Sequence, residues 1–356
     1  MSTYEEDNLP ILIFYKNLIP YSSLDKMFKQ EFMGCDSKCV NVYIDLFSFL
    51  SDLYRTTNFT NVWNITSSIV NMGIHYRNYF AKRGMYSNII FVYSPNQCSI
   101  NVKYIKNWYI GYRTLANSNP VAAKSIMSNI ELLGTMIPYA PQMYLKIGSA
   151  TPTVTILNIV QKAINSGTDL GKYPNIYITR DPYAFQLPAI LPNVVLFFKK
   201  YKRNREDNSF SVNYGNCLNE YIKLTKNVAI EELLPANWLS PYMIIAGIGS
   251  KYGVNAILNY DKSLAVLFKL SSEHSNFTPD TIYTTIKEIS PSCKITLEDI
   301  YNRFRCLDIL HQLAEYNVLP ESQEFSWTAE TPDMNMLLEL NNRYFKKNPI
   351  DIDRLG

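Results

Sequence analysis

VYIDLFSFL, residues 42–50, joins two patterns of different period. Val42, Tyr43 and Ile44 belong to a β-branched and aromatic run that starts at Val40 and ends on Asp45. From Leu46 the apolar residues recur at helical spacing, in LFSFLSDLYR. The reading is strand, acid, helix. The same alternation continues outward. A helical stretch at roughly Val62–Lys82 leads into a strand at Asn88–Tyr93 (NIIFVY), which ends at Ser94-Pro95-Asn96. A helix at Pro120–Leu133 precedes a short strand at Met143–Ile147, and a helix at about Pro152–Asn165 precedes Asn175–Thr179 (NIYIT), followed by Asp181. Asn193–Phe198 (NVVLFF) is the last strand of the series. Strands alternating with helices predict parallel crossovers in an α/β sheet. Ligands of such sheets sit beyond the carboxyl ends of the strands, where Asp45, Ser94 and Asp181 fall.

After Arg205 the pattern turns to helices, expected at Met243–Ala246, Asn255–Leu270, Thr281–Ile289, Leu297–Tyr316 and around Met334–Phe345. The organisation expected is an extension over 1–39, an α/β domain over 40–206, a helical domain over 207–290 and a helical extension over 291–356.

Composition narrows the classes. The 356 residues are 47% hydrophobic and 18% charged, which excludes a disordered chain. No uncharged apolar stretch reaches 18 residues, so no membrane span is expected. The acidic start, Met1–Asp7, and the short apolar run Leu9–Tyr15 do not make a secretory signal. The expected location is a cytoplasm, of a host cell, or a virion. The scattered cysteines read as free thiols, and the three histidines lie too far apart for a zinc site. Abundant Tyr, Asn, Ile and Lys suggest an AT-rich genome, hence a virus or phage. A net charge of +3 says little about a polyanion partner by itself.

Taken in order, VYIDLFSFL, NIIFVYS (88–94), IKNWYIGYR (105–113), YLKIGSATPTVTILNIV (144–160) and NIYITRDPYAFQL (175–187) resemble the flap endonuclease and 5′-3′ exonuclease family, PIN-like 5′ nucleases, over about Val40–Leu270. In the last stretch Thr179, Asp181, Gln186 and Leu187 all fall in register. The resemblance implies a PIN-like α/β domain with a central, mostly parallel sheet, followed by a helix-three-turn-helix-like domain. It also implies cutting of phosphodiesters by two divalent ions, normally magnesium, held by clustered carboxylates. On the family's pattern Asp45 and Asp181 survive as residual acidic positions. Ser94, Ser149, Thr151, Pro152 and Tyr183 stand where other acids would be. A plainer reading covers the same residues: Thr151 or Ser149 with Pro152 is an ordinary helix N-cap and first position, and Asp45 and Asp181 cap helices or pair with Arg55 or Arg180.

LSPYMIIAGIGSKYGVNAI (239–257) is similar to the family's helix-three-turn-helix, which holds a monovalent cation and grips duplex phosphates. In one register Ile248 and Lys251 replace its two aspartates; in the other Gly247, Gly249 and Lys251 form the turn that offers N–H groups to phosphate. A plain glycine-rich turn explains it as well.

Two basic segments complete the candidate interface. KKYKRNR supplies Lys199, Lys200, Lys202, Arg203 and Arg205 after the last strand; Lys103, Lys106 and Arg113 lie among Trp108, Tyr109 and Tyr112. Such groups contact phosphate and stack on bases, although solvated loops carry similar runs. Three readings stand open. The first is a catalytically degenerate 5′ nuclease that binds DNA or RNA, or joins a viral particle or replication complex, without a cofactor. The second is an active, magnesium-dependent 5′-3′ exonuclease, and the third a structural virion protein that binds no nucleic acid. All three place Asp45 and Asp181 at the ends of neighbouring parallel strands.

Overall fold

Five strands run parallel and a sixth antiparallel in a single sheet ordered β3-β2-β1-β4-β5-β6. The computed structural model describes residues 18–46, 48–50, 62–94, 120–148, 150–167, 173–200, 208–248, 254–274, 276–317, 333–345 and 349–354. The strands are β1 (Cys39–Asp45), β2 (Tyr86–Tyr93), β3 (Met143–Ile147), β4 (Asn175–Thr179), β5 (Val194–Lys199) and β6 (Ser209–Val212). The first helices are α1 (Tyr21–Phe32), α2 (Val62–Ala81), α3 (Pro120–Met136), α4 (Pro152–Asn165) and α5 (Gln186–Ile190). Beyond the sheet come α6 (Cys217–Lys226), α7 (Leu239–Ala246), α8 (Tyr260–Glu273), α9 (Pro279–Ile289), α10 (Leu297–Leu307), α11 (Ile309–Asn317) and α12 (Met334–Tyr344). This is the α/β class expected, a mostly parallel sheet followed by helices. No described helix is long and apolar enough to cross a membrane.

The central strands are buried on both faces, which is why they read as continuous apolar runs. One face carries a polar chain. Asn41, Asn88 and Asn175 stand in register on β1, β2 and β4. Asn88 Nδ2 donates to Asn41 Oδ1 at 3.0 Å, Asn41 Nδ2 to Asn175 Oδ1 at 3.0 Å, and Asn175 Nδ2 to the Tyr173 carbonyl at 3.0 Å. Side chains alternate along a strand, so Tyr43 and Asp45 on β1 and Tyr177 and Thr179 on β4 share the face of these amides. α4 covers that face, and every residue from Pro152 to Val160 is buried. Phe91, on the opposite face, meets α2 at Gly73.

Several boundaries differ from those expected. The sheet continues to Val212, past the expected limit at 206, because the four residues of β6 are too few for their alternation to be recognised. α1 lies within the expected extension and is tied to β6: Ser211 Oγ and Asn213 Nδ2 donate to the Glu31 carboxylate at 2.5 and 2.7 Å. α8 begins at Tyr260, not Asn255, because Asn259 caps it by accepting from the Lys262 N–H at 3.0 Å. The single helix expected over Leu297–Tyr316 breaks at Asp308, whose carboxylate accepts from the His311 N–H at 2.8 Å. The break is held from the sheet side: Gln186 Nε2 donates to the Leu307 carbonyl at 2.8 Å and its Oε1 accepts from the Ile309 N–H at 3.4 Å. α12 returns to the sheet domain, stacking Tyr344 on Trp63 with centroids 4.3 Å apart.

The asparagine chain generates a test. Asn41→Val leaves Asn175 Oδ1 without its donor and Asn88 Nδ2 without its acceptor, so it lowers stability by about 2–4 kcal/mol. Replacing all three asparagines by Val removes the stranded partners and costs less than the sum of the single changes. Urea unfolding of the single and triple variants measures this, and strict additivity would refute the coupling.

Candidate functional site at the strand switch point

The chain builds outward from β1 through β2 to β3, then crosses to β4 and continues to β5. The order therefore reverses between β1 and β4, where ligands of such sheets bind beyond the strand ends. Asp45 ends β1 and Asp181 follows β4, on neighbouring parallel strands. Both are buried, Asp45 fully and Asp181 to 5% exposure.

The Thr179 hydroxyl links the two acids. It donates to Asp45 Oδ2 at 2.9 Å and accepts from the Asp181 N–H at 3.0 Å. Asp45 is engaged on its other side as well: Oδ1 accepts from the Ser48 N–H at 3.0 Å and Oδ2 from the Ser48 hydroxyl. Asp181 Oδ1 accepts from the Tyr183 N–H at 3.0 Å and so caps the short 3-10 turn Pro182–Phe185. Both acids act as caps, the plainer reading of their positions. Thr151 and Pro152 do likewise at α4, where the Thr151 hydroxyl accepts from the Val154 N–H at 3.3 Å and Pro152 takes the first helical position.

Neutral hydroxyls surround these acids. Ser94 lies two residues beyond Val92, the register partner of Asp45, and so faces the same side. Its Oγ, Thr153 Oγ1 and Tyr177 Oη are buried and make no hydrogen bond with any described residue. Gly148 closes over the start of α4: a Cβ there would meet Thr155 Oγ1 at 2.2 Å, so only glycine permits the approach.

Sequence reasoning missed Tyr177. Burial, then the charges of Asp45 and Asp181, hold its phenol well above the usual tyrosine range; Thr179 and Thr153 are near enough to temper the rise without hydrogen-bond geometry. The signal was available in the alternation of NIYIT, which sets Tyr177 on the face of Thr179. Among the described residues no three His, Cys, Asp or Glu side chains gather as a metal-ligand group.

The remaining candidates are spread out. Lys199 ends β5 and donates to the Leu18 carbonyl, so its ammonium is already committed to the fold; Lys200 follows it, partly exposed. Gly247 caps α7 at φ +67°, where a Cβ would meet the Val254 carbonyl oxygen at 2.4 Å. Ile248 is buried. Lys103, Lys106, Arg113, Lys202, Arg203, Arg205, Gly249 and Lys251, with Ser149 and Arg55, lie outside the described residues.

The two hydroxyls on this face have opposite expected effects. Thr179→Val removes the bridge, leaving Asp45 Oδ2 with the Ser48 hydroxyl and taking the acceptor from the buried Asp181 N–H, and costs about 2 kcal/mol or more. Tyr177→Phe removes an unmatched polar atom and leaves stability unchanged or raises it by up to about 1 kcal/mol. The raised phenol also fixes a pH sign. The unfolded phenol ionises near pH ~10 while the folded one stays neutral, so its stabilising share is complete below that pH and lost above it. Tyr177→Phe therefore loses less stability than the parent between pH ~8 and ~11. Denaturant titrations at the two pH values measure both effects, and a marked loss in Tyr177→Phe at neutral pH would show that the hydroxyl has a partner.

No protein-family model matches the chain, and no curated protein matches its sequence. Solved structures do. A bacteriophage T5 flap endonuclease pseudo-enzyme–product complex with DNA and metal ions superposes with a TM-score of 0.49 at 9% identity, over 78% of this chain and 92% of that one. The T5 5′-exonuclease with zinc bound gives 0.43 at 9% identity, over 80% and 100%. The catalytic core of Rad2 gives 0.38 at 12% identity, over 92% and 95% of the two chains.

Proposed function

We propose that this protein is a catalytically degenerate 5′ nuclease-like scaffold that binds nucleic acid without cutting it. The observation that carries the reading is the state of Asp45. It is fully buried, and the Ser48 and Thr179 hydroxyls with the Ser48 N–H occupy both its oxygens. A pair of hard divalent ions requires several carboxylate oxygens facing a common, hydrated space. Among the described residues Asp45 and Asp181 supply two carboxylates, both turned to capping, beside the hydroxyls of Ser48, Ser94, Thr153, Tyr177 and Thr179. That donor set does not fit a metal pair, and no cleavage step follows from it.

The same replacement favours binding. A cluster of acids repels the phosphate backbone unless metal neutralises it, and neutral hydroxyls do not. The cations expected to meet phosphate are Lys200, Lys202, Arg203 and Arg205, with Lys103, Lys106 and Arg113, and Gly247, Gly249 and Lys251 add a turn in the helical region. The proposal extends to setting: a virus-encoded protein in the host cytoplasm or virion, where the bound complex serves replication or assembly. The composition of the chain supports that part.

Gel-shift and cleavage assays on a labelled 5′ flap, with magnesium, manganese or chelator, test the reading. Binding without cleavage is expected, unchanged by chelator and weakening with salt. Neutralising Lys200, Lys202 and Arg203 is expected to flatten the log-log salt slope by about 0.7–0.9 for each phosphate that is no longer neutralised. Metal-dependent cleavage abolished by Asp181→Asn would establish the enzyme instead. No binding to single-stranded, duplex or flapped DNA, or to RNA, would leave the structural virion reading.

A further inference from the structure

The C-terminus of α7 is closed by the protein's own donors. The last carbonyls of a helix have no partner within it and carry the negative end of its dipole. Here five consecutive ones are matched. Met243 O accepts from the Gly247 N–H at 2.9 Å, Ile244 O from Arg303 Nη1 at 3.0 Å, Ile245 O from the Ile257 N–H at 2.8 Å, Ala246 O from Lys226 Nζ at 3.1 Å and Gly247 O from the Tyr221 hydroxyl at 3.1 Å.

Two of these donors are cations drawn from other helices. Arg303 reaches across from α10 and Lys226 from the last residue of α6. The Lys226 ammonium is half-buried and receives no carboxylate among the described residues; the Ala246 carbonyl is its protein partner. Burial alone lowers its pKa, with no acid to offset it. A lysine is not drawn out of water in this way unless something negative receives it, and here that is a helix end.

The element that this turn resembles is implied to hold a monovalent cation. The residues here do not fit one: the carbonyls already receive an ammonium and a guanidinium, and in one of the two registers buried Ile248 occupies a position where that element would offer a carboxylate. We infer that Lys226 acts as a tethered monovalent cation at the C-terminus of α7, so that this helix end needs no exchangeable potassium or sodium. The inference concerns the helix end alone and does not depend on whether nucleic acid is bound.

Thermal unfolding of the full chain in potassium, methylammonium and choline chloride at equal, high concentration tests it. The parent is expected to unfold at the same temperature in all three. Lys226→Ala is expected to fall by about 2–4 °C in choline, which is too bulky to sit at the carbonyl. Potassium or methylammonium, small enough to take the vacated place, is expected to restore at least half of that loss. If Lys226→Ala does not fold, Lys226→Met, which keeps the apolar stem, provides the same comparison. A parent stabilised by potassium over choline by a similar amount would overturn the inference. So would a variant whose loss is equal in all three salts, since Lys226 would then be an ordinary hydrogen-bond donor.

Discussion

Register between β1 and β4 is the constraint on which the switch point rests, and the buried amides of Asn41, Asn88 and Asn175 set it. Apolar strands buried on both faces slide against each other at little cost, because Val, Ile and Phe are nearly equivalent neighbours. Amides are not. A slip of two residues would bring Asn41 level with Tyr177 and Tyr43 level with Thr179, leaving buried donors and acceptors unpaired. The pairing that satisfies the amides also brings Thr179 within 2.9 Å of Asp45. The geometry of the acids is thus fixed at the opposite end of the same strands.

Periodicity revealed most of the elements because the physics behind it is local. Buried parallel strands are continuous apolar runs, and Asn175–Thr179 and Pro152–Asn165 were both legible to the residue. The Thr151-Pro152 cap was equally plain, since cap chemistry depends on a few adjacent residues. Strand order, the asparagine chain and the break at Asp308 depend on partners far away in sequence. Asn88 and Asn175 open their apolar runs and read as boundaries, and Asn41 lies inside VNVYI as one polar residue among apolar ones, whereas their role is to pair across strands. Tyr177 was hidden for a related reason: within NIYIT it looks like core, and only the neighbouring strand shows that it lies beneath two carboxylates. For the acids themselves, the sequence left catalytic and capping roles open, and their hydrogen bonds are those of caps.

The helical region is coupled to this site through packing. α11 lies against α4, the helix that covers the Asp45 face, and Gln186 holds the backbone on both sides of the break that lets α11 turn back. An unbroken helix from Leu297 onward would carry its C-terminal half away from the sheet. The Asp308 cap and the Gln186 amide supply the backbone partners that the break exposes, so it leaves few buried polar groups unmatched. α4 is consequently enclosed, which accounts for its nine consecutive buried residues.

The sheet and the helical region solve the same electrostatic problem with different donors. A buried carboxylate and a buried helix C-terminus both present negative charge to a low-dielectric interior, and each needs a positive or donor group nearby. An exchangeable metal ion is one solution and leaves the charge available for chemistry. Fixed side chains are another: Ser48 and Thr179 on Asp45, Arg303 and Lys226 on the carbonyls of α7. Fixed donors come with the fold, need no ion from solution and keep their geometry at any salt concentration. They also cannot be displaced by a substrate phosphate as a hydrated metal's water can. On the reading proposed above, a chain that satisfies its buried negative charge in this way forgoes the inner-sphere chemistry an ion would supply and meets a polyanion through shape and surface charge.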